Sequence, residues 1–314
     1  MTGPAVSVVV ACFDRPDGVA ALVAALGEQT VSDFELIAVD QVGDQRVKGV
    51  LDSAPFATRY LTEIPSGPST VPGRLPSNAS RARNTGALAA APIVVFTDDD
   101  CVPEPDWLEL VTEPLRTDPG VIAVTGPNRV LHGADRLPAE ERFAGRRRPH
   151  LFAGQGGSSN LAVRDKDFFA VGGFDTSIGP GTATFGAEDQ HLIWRLLIRA
   201  EETGGAVACR RDAAVTDRVP ASRGARLRQR WTYWASYGRF LRREFDAEGE
   251  TAAADLFHDQ SKREAPRAVA HMLRAGMPFG ALEALVSDAA LLWGWHRGPR
   301  LAPFVPEVGA SGDT

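Results

Sequence analysis

Three apolar runs, each followed by an acidic residue, constrain the fold of this chain most strongly. Val6 to Cys12 is a β-branched run, residues 34–39 form a second run that ends at Asp40, and residues 93–96 form a third that leads to Asp98. Continuous apolar runs of this length are typical of strands buried on both faces of a sheet. We therefore predict that these runs are central strands.

Helical segments separate the predicted strands. Val19, Leu22, Val23 and Leu26 recur at helical spacing, and an Ala-rich segment over residues 78–90 precedes the third strand. The resulting β-α-β order predicts an α/β fold with a mixed, mostly parallel sheet wrapped by helices. Ligands of such sheets bind at the carboxyl ends of the strands, which is where the acidic residues lie.

The pattern changes beyond about residue 220. A strand over residues 121–125, a strand-like segment over 160–163 and a helix from about Glu188 precede this point. Helical patterns follow over 226–245 and 281–295. We predict an α/β domain over 1–220, a helical extension over 221–302 and a flexible tail over 303–314. Residues 64–77 are expected to form an extended loop and residues 136–150, which include Arg146 to Arg148, an insertion.

Charge and cysteine content narrow the class of protein. The net charge of −6 gives no broad basic surface for nucleic acid. Three dispersed cysteines suit a reducing compartment, and no signal peptide or membrane span is evident, so we expect a soluble cytoplasmic protein. The histidines show no spacing typical of a zinc site.

The acidic triplet Asp98-Asp99-Asp100 indicates a cation site. Three adjacent carboxylates repel one another unless a cation or hydrogen-bond donors gather there. Oxygen ligands suit Mg²⁺ or Mn²⁺, and such ions commonly bind carboxylates together with the phosphates of a substrate. A solvated acidic loop would look the same in sequence, so the triplet alone leaves both interpretations open.

Six short segments occur in a set order over about residues 6 to 220. They are Ala11-Cys12-Phe13-Asp14-Arg15-Pro16, Ile37-Ala38-Val39-Asp40, Ala82-Arg83-Asn84-Thr85-Gly86, the DxD segment from Phe96 to Leu108, Gly172-Gly173-Phe174-Asp175, and Gly186-Ala187-Glu188-Asp189. Taken together, these segments resemble the inverting family 2 glycosyltransferases, which have the GT-A fold, a Rossmann-like, nucleotide-diphospho-sugar transferase fold.

The resemblance implies a hexosyltransferase-like enzyme with a UDP-sugar donor and Mn²⁺ or Mg²⁺. On the donor side, Asp98 would bind ribose and Asp100, together with Asp98 or Asp99, would hold the ion. Asp99 is also expected beside the nucleotide. The other expected donor-site residues are Ala11, Phe13, Arg15, Asp40, Arg83 and Asn84.

The resemblance also implies a catalytic base. Asp189 would remove the proton of the acceptor hydroxyl, with Glu188 as the alternative base or as a ligand of an acceptor hydroxyl. Carboxylates in a first helical turn also occur simply because they complement the helix dipole. Ser159 and Asn160, in a glycine-rich approach, would read sugar hydroxyls or belong to an ordinary loop.

One departure from the family pattern concerns the metal site. Many relatives have a Val-x-His segment that supplies a metal or phosphate ligand, whereas this chain has Val215-Thr216-Asp217. Aspartate can still ligate a hard cation, so we carry Asp217 as a candidate ligand.

A basic helix with an aromatic stripe, including Trp231, Trp234 and Tyr237, begins the helical extension. We expect the aromatic side to cover a core and the arginines to lie on the opposite face. The alternative is contact with a lipid-phosphate acceptor or an anionic membrane surface, for which Arg242 and Arg243 would be needed. The acceptor class remains a sugar, a natural product or a lipid-linked sugar, and a homodimer is left open.

Two other functions remain as alternatives. A nucleotidyltransferase of related α/β fold would also bind a nucleotide and metal, but the glycine-rich entry motif of that class is missing after the first strand. A non-catalytic protein that binds sugar nucleotides would share the donor-side residues. The joint presence of donor-side acids and a candidate base favours the transferase.

Overall fold

An eight-stranded sheet forms the centre of the computed structural model, which describes residues 4–65, 76–128, 140–145, 157–217, 222–248 and 251–306. The strands are β1 (Val6–Cys12), β2 (Phe34–Asp40), β3 (Ala57–Thr62), β4 (Ile93–Asp98), β6 (Val121–Thr125), β7 (Glu140–Phe143), β8 (Leu161–Arg164) and β9 (Ala206–Arg210). Their order is β3-β2-β1-β4-β8-β6-β9-β7. β8 runs antiparallel to β4 and β6, and β7 runs antiparallel to β9, while the other pairings are parallel. The mixed, mostly parallel sheet predicted from the sequence is confirmed.

A second, two-stranded ribbon lies beside the end of β4. It pairs β5 (Cys101–Pro103) antiparallel with β10 (Val215–Asp217). In this register Asp217 lies opposite Cys101, directly after the acidic triplet. A segment more than 100 residues away in sequence is thereby brought to the predicted cation site.

Helices cover both faces of the sheet and continue beyond it. Those of the α/β part are α1 (Pro16–Gly27), α2 (Gln45–Asp52), α3 (Ala79–Leu88), α4 (Trp107–Thr117), α5 (Asp165–Ala170) and α6 (Glu188–Thr203). Those of the helical extension are α7 (Arg223–Glu248), α8 (Thr251–Asp259), α9 (Ala265–Arg274) and α10 (Pro278–His296). None of the described helices combines the length and hydrophobicity of a bilayer-spanning segment.

The core has two layers because side chains alternate along each strand. Val8 and Val10 of β1 pack in one layer with α1 and α4, whereas Val9 packs in the other with α3 and α6. Both faces of β1 are therefore buried, which explains its unbroken apolar sequence. The carboxyl ends of β1, β2 and β4 remain together at one edge of the sheet.

A third apolar cluster joins the helical extension to the α/β part. Trp194 of α6 packs with Phe240 and Leu241 of α7, with side chains of α8, and with Leu291 of α10. The helical extension therefore packs against α6, the helix whose first turn carries the candidate base Asp189. Strands end at Asp217 and helices resume at Arg223, while the domain division at 220 remains a prediction.

Some sequence-based expectations are revised or lie outside the described residues. The predicted strand over 160–163 is shifted, because Ser158–Asn160 form a 3-10 turn and the strand is Leu161–Arg164. Most of the predicted loop at 64–77, much of the insertion at 136–150 with Arg146 to Arg148, and residues 307–314 of the tail are outside the described ranges.

Candidate active site

The acidic triplet lies at the end of β4, and its three carboxylates point in two directions. Asp98 and Asp100 are partly exposed, and their carboxylates converge with the Cys101 thiol, so that one ligand atom from each lies within 4.8 Å of the others. Asp99 between them is buried and points toward the loop after β1. The strand ends at Asp98, and Asp99 and Asp100 lie in the turn that follows it.

Asp99 anchors the first loop. Its carboxylate accepts from the Phe13 amide N–H at 3.0 Å and from the Arg15 guanidinium at 3.0 Å, and the same guanidinium also contacts Asp100. Burial raises the pKa of Asp99 to about 6, against the opposing charge of Arg15. Ala11 lies level with Asp98 in the paired strands. The predicted loop residues are therefore assembled around the triplet.

Asp40 anchors the turn after β2. Its buried carboxylate accepts hydrogen bonds from the Val42 amide N–H at 2.9 Å, from the Asp44 amide N–H and from the Tyr60 hydroxyl at 2.8 Å. Tyr60 was not singled out in the sequence, since a tyrosine in an alternating strand gives no specific signal. Recognition of a nucleotide base by Asp40 remains a prediction.

Arg83 links the donor side to the start of α6. Its guanidinium, which is 4% exposed, donates to Asp98 at 2.7 Å and to Glu188 at 3.3 Å. The ring of Phe174 lies 5.4 Å from the guanidinium carbon. The planar, forked guanidinium can serve two carboxylates at once, which a lysine ammonium does less well.

Glu188 and Asp189 begin α6 at the edge of a cleft. Both line a cavity of about 290 Å³, the central cleft, together with Arg83, Asp98 and Asp217. Burial and the charge of Asp189 raise the pKa of Glu188, and burial raises the pKa of Asp189, while Arg83 opposes both changes. A carboxylate with a raised pKa is better suited to accept a proton near neutral pH.

The backbone around this pair is unusual. Ala187, the residue before the helix, has φ of 77°, a left-handed conformation that costs a non-glycine residue free energy. Gly157 faces Asp189, and a Cβ added at Gly157 would lie 1.6 Å from the Asp189 Oδ2 atom. The sequence analysis noted the glycine-rich segment that leads to Ser158, but it did not single out Gly157 within it.

Two predicted ligand-binding residues, Asn84 and Asn160, have side-chain amides that are hydrogen-bonded within the fold. The Asn84 side chain donates to the Phe174 carbonyl and accepts from the Phe174 amide N–H. The buried Asn160 side chain accepts from the Trp107 indole N–H at 2.9 Å and donates to the Ala213 carbonyl at 2.8 Å. Because these contacts occupy their amide groups within the fold, we leave both residues out of the proposed donor site.

Ser159 and Asp217 do line the central cleft. The Ser159 hydroxyl is hydrogen-bonded to the side chain of Asn128, with a donor to acceptor distance of 2.7 Å. Asp217 is carried to the cleft by the β5–β10 ribbon. Both positions agree with the sequence-based expectation that they face a ligand, and their roles remain predictions.

Helix α7 supplies one wall of the central cleft. The lining residues from this helix are Gln229, Arg230, Tyr233, Trp234 and Tyr237. The aromatic stripe is turned inward as expected, because Tyr237 and Phe240 are buried, although Trp231 is 41% exposed. The stripe therefore serves both the core and the cleft.

Arg243 differs from the sequence-based expectation of a surface arginine. It is buried and donates to Asp175 at 2.7 Å, and its guanidinium also lies 3.0 Å from Nδ1 of His191. Because an arginine can only donate, Nδ1 must accept and His191 is neutral. Burial, with the charges of Arg195 and Arg243, lowers the pKa of His191 well below its ordinary value. Arg243 thus holds α7 to the segment before α6, whereas Arg242 pairs with Asp246 on the surface.

Two curated relatives share part of the sequence. The chain is 29% identical over 153 residues to a glucosyl-dolichyl phosphate glucuronosyltransferase of Haloferax volcanii, which covers 45% of this chain and 47% of the relative. It is 27% identical over 178 residues to an uncharacterized glycosyltransferase of Haemophilus influenzae, covering 55% and 57%. The chain therefore spans about half the length of the curated relatives it matches.

Solved structures share the fold. A mannosyltransferase from Pyrobaculum calidifontis in complex with GDP-Man and Mn²⁺ superimposes with a TM-score of 0.59 at 19% identity, covering 93% of this chain and 88% of that chain. Residues 1–349 of TarS from S. aureus, in complex with UDP-GlcNAc, superimpose with a TM-score of 0.52 at 14% identity, covering 90% of each chain. At these identities the similarity establishes the fold.

A family model decides the classification. The model described as glycosyl transferase family 2 matches residues 7–172, which is more than half of the chain. The match includes the first loop, Asp40, Arg83 and the acidic triplet, and it ends before Glu188. This chain therefore belongs to glycosyl transferase family 2.

Proposed function

We propose that this protein is an inverting glycosyltransferase that moves a sugar from a nucleoside-diphosphate sugar to an acceptor hydroxyl with a divalent cation. The observation that carries the proposal is the contact of Arg83 with both Asp98 and Glu188. This contact joins the candidate donor-side acid to the helix that carries the candidate base, within one cleft. Family membership favours sugar transfer over the alternative nucleotidyl transfer.

The residues at the end of β4 fit a hard cation. Asp98 and Asp100 direct carboxylate oxygens toward one point, and Asp217 lies on the neighbouring strand. Burial raises the pKa of the Cys101 thiol, and a hard cation prefers the carboxylate oxygens to sulfur. The chemistry that a bound Mn²⁺ or Mg²⁺ supplies is neutralisation of the charge on the departing diphosphate. The presence of Mn²⁺ with the Pyrobaculum mannosyltransferase supports this assignment.

Asp189 is the base that the contacts favour. Glu188 is engaged by Arg83, whereas Asp189 lies against Gly157 with Oδ1 accepting from the Gln190 amide N–H. As the acceptor oxygen bonds to the anomeric carbon, its proton passes to Asp189. The bond from that carbon to the diphosphate oxygen breaks, and the electron pair leaves with the diphosphate. One displacement of this kind inverts the anomeric configuration.

The donor base is proposed as uracil, on the family resemblance and on the UDP-GlcNAc complex of TarS. The GDP-Man complex of the Pyrobaculum enzyme makes guanine the alternative. Arg15 of the first loop, whose side chain is 53% exposed, is free enough to reorient toward a diphosphate when Asp100 binds a cation. These contacts concern the donor and do not bear on the chemical class of the acceptor.

Membrane contact and a homodimer remain predictions. The helix that suggested membrane contact, α7, turns much of its aromatic side inward. Exposed large apolar side chains lie on α10 instead, at Leu282, Leu285, Leu292 and Trp293. Flotation with anionic vesicles and sedimentation velocity, each repeated with Leu285→Glu, would test which of the two this face serves.

The proposed function is tested by donor binding and product analysis. A thermal-shift series with UDP-glucose, UDP-GlcNAc and GDP-mannose, with and without Mn²⁺, should show stabilisation that depends on the metal. Asp100→Asn should lose this shift, and Asp106→Asn, in the turn before α4, is the matched control. Absence of any metal-dependent shift contradicts the proposal. NMR of the product should show inversion, and a retained configuration would exclude Asp189 as the sole base.

A further inference from the structure

A second cavity lies within the helical extension. It has a volume of about 300 Å³, is partly open to solvent, and is lined by residues of α7, α9, α10 and the π-helical segment Gln260–Glu264 that joins α8 to α9. We call it the helical cavity. Small side chains such as Ala265, Ala268 and Ala284 line much of it, with Met272 and Leu291. Facing small residues leave this space open between the helices.

The helical cavity adjoins the central cleft. Arg230 and Trp234 line both spaces. They are four residues apart on α7, so their side chains lie on the same face of that helix. A molecule in the helical cavity would therefore contact two side chains that also line the central cleft. The helical cavity is therefore placed to receive part of a substrate whose reacting group lies in the central cleft.

One carboxylate of the helical cavity has an oxygen that a cationic donor could pair with. Its charged lining residues are three acids and one arginine: Glu264, Glu283, Asp288 and Arg230. Glu283 is paired with Arg226 at 3.1 Å, and Glu264 with Arg267 at 3.3 Å. Within the described part of the chain, Oδ1 of Asp288 is buried without a hydrogen-bond partner. A buried carboxylate oxygen left unpaired is costly, and a ligand that donates to it would remove that cost.

We propose that the helical cavity binds a compact hydrophobic amine that forms part of the acceptor, with its ammonium donating to Asp288. This inference rests on the proposed function, because the hydroxyl of the same acceptor would lie beside Asp189 in the central cleft. The volume is at the lower end of small-molecule pockets, roughly 300–1,000 Å³, which suits a compact ring system better than a long polyprenyl chain. Of the acceptor classes considered above, an amine-bearing natural product is favoured.

Three probes with one apolar cage and different polar groups test this proposal by calorimetry at pH 7. They are 1-adamantylamine, 1-adamantanol and adamantane-1-carboxylate. We expect the amine to bind at least about tenfold more tightly than the alcohol, because its ammonium is itself charged and adds an ion pair to the hydrogen bond with the carboxylate, and the carboxylate probe to bind most weakly. Equal binding of amine and carboxylate overturns the proposal.

Variants separate the two features of the helical cavity. Asp288→Asn should remove the preference for the amine over the alcohol, whereas Asp255→Asn, at an exposed position on α8, should retain it. Ala284→Leu and, independently, Ala268→Leu should weaken all three probes by filling the space. Loss of the preference in Asp255→Asn, or unchanged binding in both filled variants, would contradict the assignment.

Donor binding is measured on the same proteins to keep the two proposals apart. If UDP-glucose binds with Mn²⁺ and the wild type binds no amine, the assignment of the helical cavity is wrong while the proposed function stands. If the amine binds as expected and no nucleotide sugar does, the cavity binds an amine but the proposed function, and with it the assignment as an acceptor site, fails.

Discussion

Gly157 lies directly against the carboxylate of Asp189, and the absence of a side chain at residue 157 is what makes room for the candidate base. A Cβ there would lie 1.6 Å from Asp189 Oδ2 and 2.6 Å from its carboxyl carbon. Neither distance is sterically allowed, so any other residue at 157 must displace the carboxylate. Gly157 is thus a positioning residue for the proposed base.

Gly157→Ala should therefore lower the rate of transfer while leaving donor binding intact. A displacement of the base by about 1 Å can reduce the rate roughly 100-fold. The measurement is turnover with the acceptor alongside calorimetric binding of the donor. Gly49→Ala, in α2 with no atom within 4 Å of the added Cβ, is the control. A normal rate in Gly157→Ala would show that Asp189 need not lie where it does.

Asp189→Asn should retain donor binding and lose about 10²- to 10⁴-fold in transfer, the usual contribution of a general base.

Because burial raises the pKa of Asp189 and Glu188, the wild-type kcat/KM should rise with pH, with its midpoint above the ordinary range of carboxyl groups. The pair titrates together, so one apparent pKa belongs to both residues. Glu188→Gln should shift this midpoint without abolishing transfer. If Glu188→Gln instead abolishes transfer and Asp189→Asn does not, Glu188 is the base.

Arg83→Ala should destabilise the fold as well as impair donor binding. Removing the guanidinium leaves the buried Glu188 carboxylate without its partner, and breaking a buried ion pair costs about 3–5 kcal/mol. Arg81→Ala, at an exposed position two residues earlier in α3, should change the free energy of unfolding by less than about 0.5 kcal/mol. Urea denaturation measures both. Similar values for the two variants would mean that Arg83 is not needed to compensate Glu188 in the fold.

His191 should make the protein less stable as the pH falls. Its pKa is lowered in the folded state, so below about pH 6.5 the unfolded chain binds a proton that the folded chain does not. The raised pKa values of Glu188 and Asp189 act in the opposite direction, which is why the comparison must be between variants. The stability of the wild type relative to His191→Gln should fall between pH 7 and pH 5, by up to about 1.4 kcal/mol per pH unit. Urea denaturation at several pH values checks this, and a pH-independent difference would show that the pKa of His191 is the same in the folded and unfolded states.

The amino-acid sequence was sufficient for the features that depend on local order. The buried strand Val6–Cys12, the helix that begins at Glu188 and the acidic end of β4 are all evident from runs and spacings of neighbouring residues. Burial on both faces requires an unbroken apolar run, and parallel strands place their carboxyl ends at one edge, so the site could be located at that edge. The family resemblance rests on the same local motifs.

Which of these side chains face the central cleft depends on packing between distant parts of the chain. Asn84 and Asn160 lie in segments that suggest ligand binding. Their amide groups are instead hydrogen-bonded to residues distant in sequence, Asn84 to Phe174 and Asn160 to Trp107 and Ala213. Likewise Asp99 turns away from Asp98 and Asp100 because Phe13 and Arg15 supply its donors. A sequence motif identifies polar residues, but the residues to which they hydrogen-bond are set by the whole fold.

The same reason explains Gly157, Arg83 and Arg243. Each acts through a contact with a residue that is 32 to 105 positions away, so no local pattern in the sequence could show it. Runs and motifs of neighbouring residues were enough to predict the fold class, the family and the edge of the sheet at which chemistry can occur. The tertiary structure decided how the candidate base, the donor-side acids and the helical extension meet, because burial and charge pairing depend on residues brought together by packing.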